Sequence, residues 1–257
     1  MHLELISLAA TQPNTGLAGT ALAGDSLTVK NGRGKVRIMS MWQTNQVAGF
    51  GQILFPSAHD TTRGYRAGVP IGVTPFLLPL GVQMDVTAQE LMSFTIAGSN
   101  VAGDVEQLSC LLKYDNLPGV DQRLMTASEV MSKTKKLTTV ETSCVSAAGP
   151  GYSGSTLITN GSDLLRANTD YAVMGMSSRT AVQNMTLVGP DTGNVKIGMP
   201  GVLRPELSAG WFMMLSRAFG EPMVPVINSG NKSATFVGVS TDENAGTFVT
   251  TLYLAQL

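Results

Sequence analysis

Ionised side chains are scarce in this 257-residue sequence. Its 17 Lys+Arg and 18 Asp+Glu make up 14% of the chain, where an ordinary soluble protein carries about 25%. The formal net charge of −1 provides no basic field for gripping nucleic acid along its phosphates, so no specific nucleic-acid binding is expected. Histidine, the usual general base and metal ligand, occurs only as His2 and His59. Cysteine occurs only as Cys110 and Cys144, too far apart for a CxxC motif and too few for a zinc site. The pair leaves one disulfide or two reduced thiols open, and two buried, reduced thiols are the more ordinary state. No run of about 18 uninterrupted apolar residues exists, so no membrane-spanning helix is expected. The best stretch, Gly68 to Val82, is broken by Pro70, Pro75 and Pro79. The first residues, His2 to Leu8, lack the positive start of a secretory signal and carry Glu4 inside an apolar stretch.

What the sequence does have is apolar surface to bury. Hydrophobic residues are 43% of the chain and mean hydropathy is +0.14, which excludes disorder from lack of a core. A surface so poor in charge is either sticky or covered, and partner subunits are the natural cover. From Ser26 onward the chain is a series of short β-like runs cut by Gly, Pro, Asn and Asp. Among them are Lys35–Trp42, Gly51–Phe55, Glu90–Ala97, Val105–Tyr114 and Leu137–Ser146. Later runs are Tyr171–Ser177, Ala181–Val188, Trp211–Phe219, Met223–Ile227, Ala234–Val239 and Thr247–Gln256.

Several of these alternate with period two. Val36, Ile38, Ser40 and Trp42 would share one face, with Arg37, Met39 and Met41 on the other; Phe248, Thr250, Leu252 and Leu254 would face away from Val249, Thr251 and Tyr253. The pattern is that of an all-β sandwich or barrel. Residues 10–24 are small, uncharged and turn-rich, and read as an extended arm. A single helical pattern, Asp121 to Lys136, places Leu124, Ala127, Val130 and Met131 on one face behind a capping Asp121, with lysines near its end. It follows Leu117-Pro118-Gly119 near mid-sequence, the natural joint between two β halves. A faint echo links Ala102–Leu111 to Ala245–Leu254, each a turn feeding a final strand, and Val47–Gly51 to Ala147–Gly151. Residues 189–210, rich in Gly and Pro, read as an insertion.

No catalytic signature survives inspection. His59 and Asp60 are sequence neighbours in a polar loop, poorly placed to orient one another in a triad. Gly149-Pro150-Gly151-Tyr152-Ser153-Gly154 matches a dinucleotide glycine spacing, but strand-like residues follow it instead of the helix N-terminus that would receive a pyrophosphate. Ser155 stands where a nucleophile elbow needs glycine. The acids are scattered and nothing pairs them. No catalytic residue, cofactor site or metal site is assigned, and the chain is not expected to be an enzyme.

Two later stretches carry a resemblance. Leu164–Val173 followed by Val188-Gly189-Pro190-Asp191-Thr192-Gly193-Asn194, and Leu215–Gly220 through Pro225–Asn228 to Leu252–Ala255, are similar to segments of structural proteins of small icosahedral phages. The layout resembles the double jelly-roll major capsid proteins of tailless, often membrane-containing icosahedral bacteriophages. That resemblance implies two jelly rolls side by side, with a short helix near the joint and an extended N-terminal arm. The divisions would be an arm over 1–24, a first jelly roll over 25–117, a linker with a short helix over 118–136, and a second jelly roll over 137–257. Eight strands between Ser26 and Asn116 are a tight fit unless the arm contributes one.

The resemblance further implies a major capsid protein that self-assembles as a pseudo-hexagonal homotrimer tiling an icosahedral shell. Its partners would be neighbouring capsomers, other capsid proteins such as penton or spike, and an internal membrane where one is present. Its location would be the virion capsid, assembled in the host cytoplasm. Two other readings compete: a minor capsid, spike or tail β-sandwich of a virion, and a carbohydrate-binding β-sandwich or glycosidase. The last is disfavoured by aromatics at only 6%, since sugar grooves usually expose rings.

Overall fold

Runs rich in Val, Ile, Thr and aromatic residues fold as antiparallel sheet throughout the computed structural model. It describes the chain apart from residues 14–18, 20, 30–34, 45–48, 57–63, 70–80, 117, 147–150, 153–155, 158–164, 181, 202–204 and 242–245. Contacts divide the chain into two units, one of Met1–Pro118 with Gly149–Gly151, the other of Gly119–Ala148 with Tyr152–Leu257.

The first unit contains β1 (His2–Thr11), β2 (Ala21–Thr28), β3 (Val36–Thr44), β4 (Gly49–Leu54), β5 (Tyr65–Val69), β6 (Met84–Val86), β7 (Leu91–Ala97) and β8 (Val105–Tyr114). β1 pairs with β8, β2 with β7, β3 with β6 and β4 with β5, which is one antiparallel ribbon folded back on itself. Further pairing of β3 with β8 and β4 with β7 rolls that ribbon into two four-stranded sheets, β1-β8-β3-β6 and β2-β7-β4-β5. This winding is a jelly roll. Leu8, Ile38, Met41, Phe55, Phe94, Ile96, Leu108, Leu112 and Tyr114 pack in its core.

The N-terminal segment is not an arm. His2–Thr11 pairs with β8 over ten residues, from His2 opposite Tyr114 to Thr11 opposite Val105, and Leu8 and Ala10 lie in the core. Ala21–Thr28 is β2, paired with β7. Small residues misled the composition reading, because a strand docked along a long apolar partner draws its stability from the main-chain ladder. These two strands supply what the tight fit lacked. A second difference lies in β3, where the register slips between Ile38 and Ser40. The bulge exchanges the two faces beyond it, so Val36, Ile38 and Met41 enter the core in place of an unbroken Val36-Ile38-Ser40-Trp42 row.

The second unit holds β9 (Leu124–Met125), α1 (Ala127–Lys133), β10 (Lys136–Ser146), β11 (Gly151–Tyr152), β12 (Thr156–Leu157), β13 (Asp170–Ser178), β14 (Asn184–Val188) and β15 (Ile197–Pro200). It continues with α2 (Pro205–Ala209), α3 (Trp211–Phe219), β16 (Val224–Asn228), β17 (Phe236–Thr241) and β18 (Gly246–Gln256). The winding repeats. β10 pairs with β18, β12 with β17, β13 with β16 and β14 with β15, while β13 also joins β18 and β14 joins β17. The sheets are β10-β18-β13-β16-β9 and β11-β17-β14-β15, with β12 also against β17. The predicted inward row Phe248, Thr250, Leu252 and Leu254 is buried.

Trp211–Phe219, expected as a strand, is helix α3. Its buried residues Trp211, Phe212, Leu215 and Ser216 recur at helical spacing, and Gly220 ends it at φ 67°. A continuous apolar run does not separate a strand from a buried helix; the polar Ser216-Arg217 and the Gly220 stop favour the helix. α1 is shorter than the 121–136 pattern. It begins at Thr126, whose side chain accepts from the Glu129 N–H while Glu129 accepts from the Thr126 N–H. The Ala127 N–H donates to the Ser216 hydroxyl of α3. Leu124 consequently belongs to β9, and Met131 is 52% exposed instead of buried.

Helix α2 sits over β13 because Gly175 has no side chain: a Cβ there would lie 1.9 Å from the Ser208 carbonyl oxygen. Gly175→Ala is expected to destabilise the second unit by at least about 2 kcal/mol through overpacking. Urea unfolding followed by Trp211 fluorescence in a Trp42→Phe background measures it, and an unchanged midpoint would contradict this seating of α2.

Candidate functional site

Of the sequence candidates, His59, Asp60, Ser155 and most of Gly149–Gly154 lie outside the described residues. Cys110 and Cys144, on β8 and β10, are buried and not joined in a disulfide. Burial pushes the Cys110 thiol up to about 12, far from a reactive thiolate, and the Cys144 Sγ donates to the Val237 carbonyl at 3.2 Å. Trp42 and Trp211 are 1% and 0% exposed, so neither forms a sugar platform. Among the described residues no group of three or more His, Cys, Asp or Glu could hold a metal ion. Several acids meet cations: Asp85 meets Lys35, Asp115 meets Arg37, and Glu141 meets Arg179.

The densest polar cluster is one that sequence inspection missed. Arg123, just before β9, grips Asp170 at the start of β13 with two bonds of 2.9 and 2.5 Å, and reaches Asp191 at 3.3 Å. Asn228, at the end of β16, donates from its side chain to Asp170 at 2.7 Å and from its main chain to Asp191 at 2.9 Å. Asn231 adds a 2.9 Å bond to Asp191. Asp191 lies in the β14–β15 connection, so the cluster ties together four segments that converge at one end of the second roll. The Arg123 guanidinium and the Asn228 amide hold the Asp170 carboxyl below its ordinary range. No spacing rule announces residues separated by 47 and 68 positions; only the folded ribbon joins them.

In the first unit, Lys113 on β8 stands directly opposite Arg37 on β3. Burial, then repulsion by Arg37, brings the Lys113 ammonium down to about 8, against a smaller opposing pull from Asp115. β8 is buried along its whole length, with Glu106 and Lys113 included.

Two of the exposed large apolar residues share one face of an edge strand. Leu137 and Val145, both on β10, are 63% and 64% exposed. β10 ends its sheet, paired on one side to β18. Around them the outward residues are Thr139, Glu141 and Ser143, with Thr251 and Tyr253 beside them on β18. One ion pair, Arg179 to Glu141 at 2.7 Å, is the charge found on this face, and an exposed pair of that kind contributes little. The arrangement is an edge strand with a weakly charged, partly apolar face, suited to contact with another protein surface.

The chain matches no protein-family model and no curated protein sequence. Among solved structures it is similar to the PBSX exported protein XepA, at 10% identity and a TM-score of 0.29, covering 98% of this chain and 86% of that one. It is also similar to the STIV MCP, at 10% identity and a TM-score of 0.23, covering 100% and 97%. The major capsid protein P2 from bacteriophage PM2 aligns at 8% identity and a TM-score of 0.21, covering 98% of each chain. Likeness at this level carries no argument, and the jelly-roll assignment rests on the strand pairings.

Three outcomes are expected. Arg123→Ala, which strips the cation from a nearly buried Asp191, should destabilise the second unit by about 1–3 kcal/mol. Since the native Asp170 value is lowered, its stabilisation is present above the ordinary 3.8 and is lost as pH falls through the native value. Asp170→Asn should therefore flatten the fall in stability between about pH 5 and about pH 2. For Lys113 the sign is reversed: the penalty is full below about 8 and is relieved as pH rises towards 10.5. Lys113→Met should raise the Tm at neutral pH by a few degrees and remove the alkaline gain, both read from thermal melts across pH.

Proposed function

We propose that this chain is a structural virion protein, a major capsid protein whose copies associate as trimers to build an icosahedral shell. The observation that carries the reading is the repetition of one eight-strand winding twice in a single chain. Three such chains around a threefold axis present six like barrels, and a near-hexagonal outline tiles a curved surface. The sequence supports the same reading through its low charge, since subunit contacts favour few ionised groups at their centre. The outward face of β10, with Leu137 and Val145, is the surface we assign to contact between copies. The two buried tryptophans favour a structural role over a sugar-binding one.

Sedimentation equilibrium of the purified chain tests the reading. A species of three times 27.0 kDa that persists at low micromolar concentration is expected, with threefold particles in electron micrographs. Leu137→Glu with Val145→Glu should weaken that association at least about tenfold, a loss of roughly 1.4 kcal/mol, while circular dichroism stays unchanged. A monodisperse monomer in the unmodified chain would defeat the proposal.

A further inference from the structure

The mouth of the second roll carries a feature that shell building does not require. A cavity of about 280 Å³ opens there, lined by Lys136, Thr138, Arg166, Tyr171 and Gln256. Liquid water occupies about 30 Å³ per molecule, so the space admits a polyatomic anion with part of its hydration shell. Strand register explains the lining. Lys136 on β10 and Tyr171 on β13 both stand opposite Gln256 on β18, so the three form one row across the sheet. Thr138 lies two residues along from Lys136, on the face that next presents buried Val140, Thr142 and Cys144. Lys136 thus occupies the last inward position of its strand, where the sandwich opens.

Arg166 arrives from the segment before β13, and its main chain is fixed at both groups. Its N–H donates to the Tyr171 hydroxyl at 2.8 Å, and its carbonyl accepts from the Ser229 hydroxyl at 2.6 Å. Beside the cavity lies a wider depression that adds Lys133 and Lys135. Four of the chain's 17 cations therefore gather at one mouth. Two have local employment: Lys135 donates to the Leu257 main-chain oxygen at 3.0 Å, and Lys133 complements the last turn of α1. Lys136 and Arg166 have no acid partner among the described residues. The acidic side chain bordering the depression, Asp170, already accepts from Arg123 and Asn228, and the Leu257 oxygen at its rim accepts from Lys135. Two cations lining one cavity beside hydroxyl and amide groups, with no carboxylate among the described lining residues, favour an anion between them.

We propose that this mouth is an oxyanion site that binds a phosphate group, held between Lys136 and Arg166 with Thr138 and Gln256 as neutral donors. The site is independent of the capsid reading, since its lining belongs to one chain and one unit.

Isothermal titration of the full chain with inorganic phosphate, against chloride at equal ionic strength, tests it. Saturable binding is expected with a Kd near about 1 mM. Lys136→Gln or Arg166→Gln should each weaken it about tenfold, and the double variant should abolish it. Lys136→Arg should restore binding, and Lys35→Gln, in the other unit, should leave it unchanged. Sedimentation with phosphatidylglycerol vesicles, against phosphatidylcholine alone, separates the two sources of phosphate. Retention that the double variant loses assigns the site to a lipid headgroup, and phosphate binding without retention assigns it to a soluble phosphate. No saturable phosphate binding, binding unaltered in the folded double variant, or vesicle retention without phosphate saturation would each overturn the proposal.

Discussion

Everything in this chain depends on main-chain ladders between its most distant strands. In the first unit ten residues of β1 pair with β8, and in the second eleven residues of β10 pair with β18. Each ladder closes a loop of roughly a hundred residues, an entropic cost that the inner pairs 2:7, 3:6 and 4:5 lower by shortening the free chain between its ends. Together they fix which side chains face inward. A winding of this kind needs long apolar strands more than charge. β8 shows the limit: it is buried throughout, and its one lysine loses much of its affinity for a proton.

The two units repeat more than strand order. Both interrupt the third strand of the ribbon with a bulge, at Met39 in β3 and at Met174 in β13. Both bulges face the eighth strand at the same depth, against Leu112 and Leu254, each two residues before the strand's end. A bulge sharpens local twist and lets a strand leave one sheet for the corner of a roll. Its recurrence marks a requirement of the winding that the side chains alone do not display. In the second unit the bulge also delivers Gly175 to the surface on which α2 rests.

These findings show what could be read in advance and why the rest could not. β7, β8 and β10 were legible as β-like runs bounded by turn residues, and β18 also by its period-two alternation. The echo between Ala102–Leu111 and Ala245–Leu254 was sound, since both lead into the eighth strand of a roll. Its companion, Val47–Gly51 against Ala147–Gly151, joined strands of different rank: the first leads from β3 to β4, the second from β10 to β11. β1 was lost because a run of small residues after it invited the reading of an arm. α3 was lost because Trp211-Phe212-Met213-Met214 is apolar under either period. The bulge in β3 is invisible to any rule of alternation. The polar cluster and the cationic mouth were out of reach for a different reason: Arg123, Asp170 and Asp191, like Lys136 and Arg166, meet only where separate connections converge at the end of a roll.

That convergence bears on how one roll can serve two purposes. Its long sides are strands, whose main-chain groups are taken up in ladders and whose outward residues are free to vary in charge. On β10 they are Leu137, Thr139, Glu141, Ser143 and Val145, of which Leu137 and Val145 desolvate readily against another surface. Its ends are connections, where unpaired main-chain groups demand polar partners. There Arg123 and Asn228 close the network around Asp170 and Asp191 and leave Lys136 and Arg166 over. The surface proposed for contact between copies and the mouth proposed to hold an anion thus come from one division of labour, ladders along the sides and polar groups at the ends. Neither draws on residues the other needs, which is why substitutions at Leu137 and at Lys136, neighbours in sequence on opposite faces of one strand, should act on separate properties.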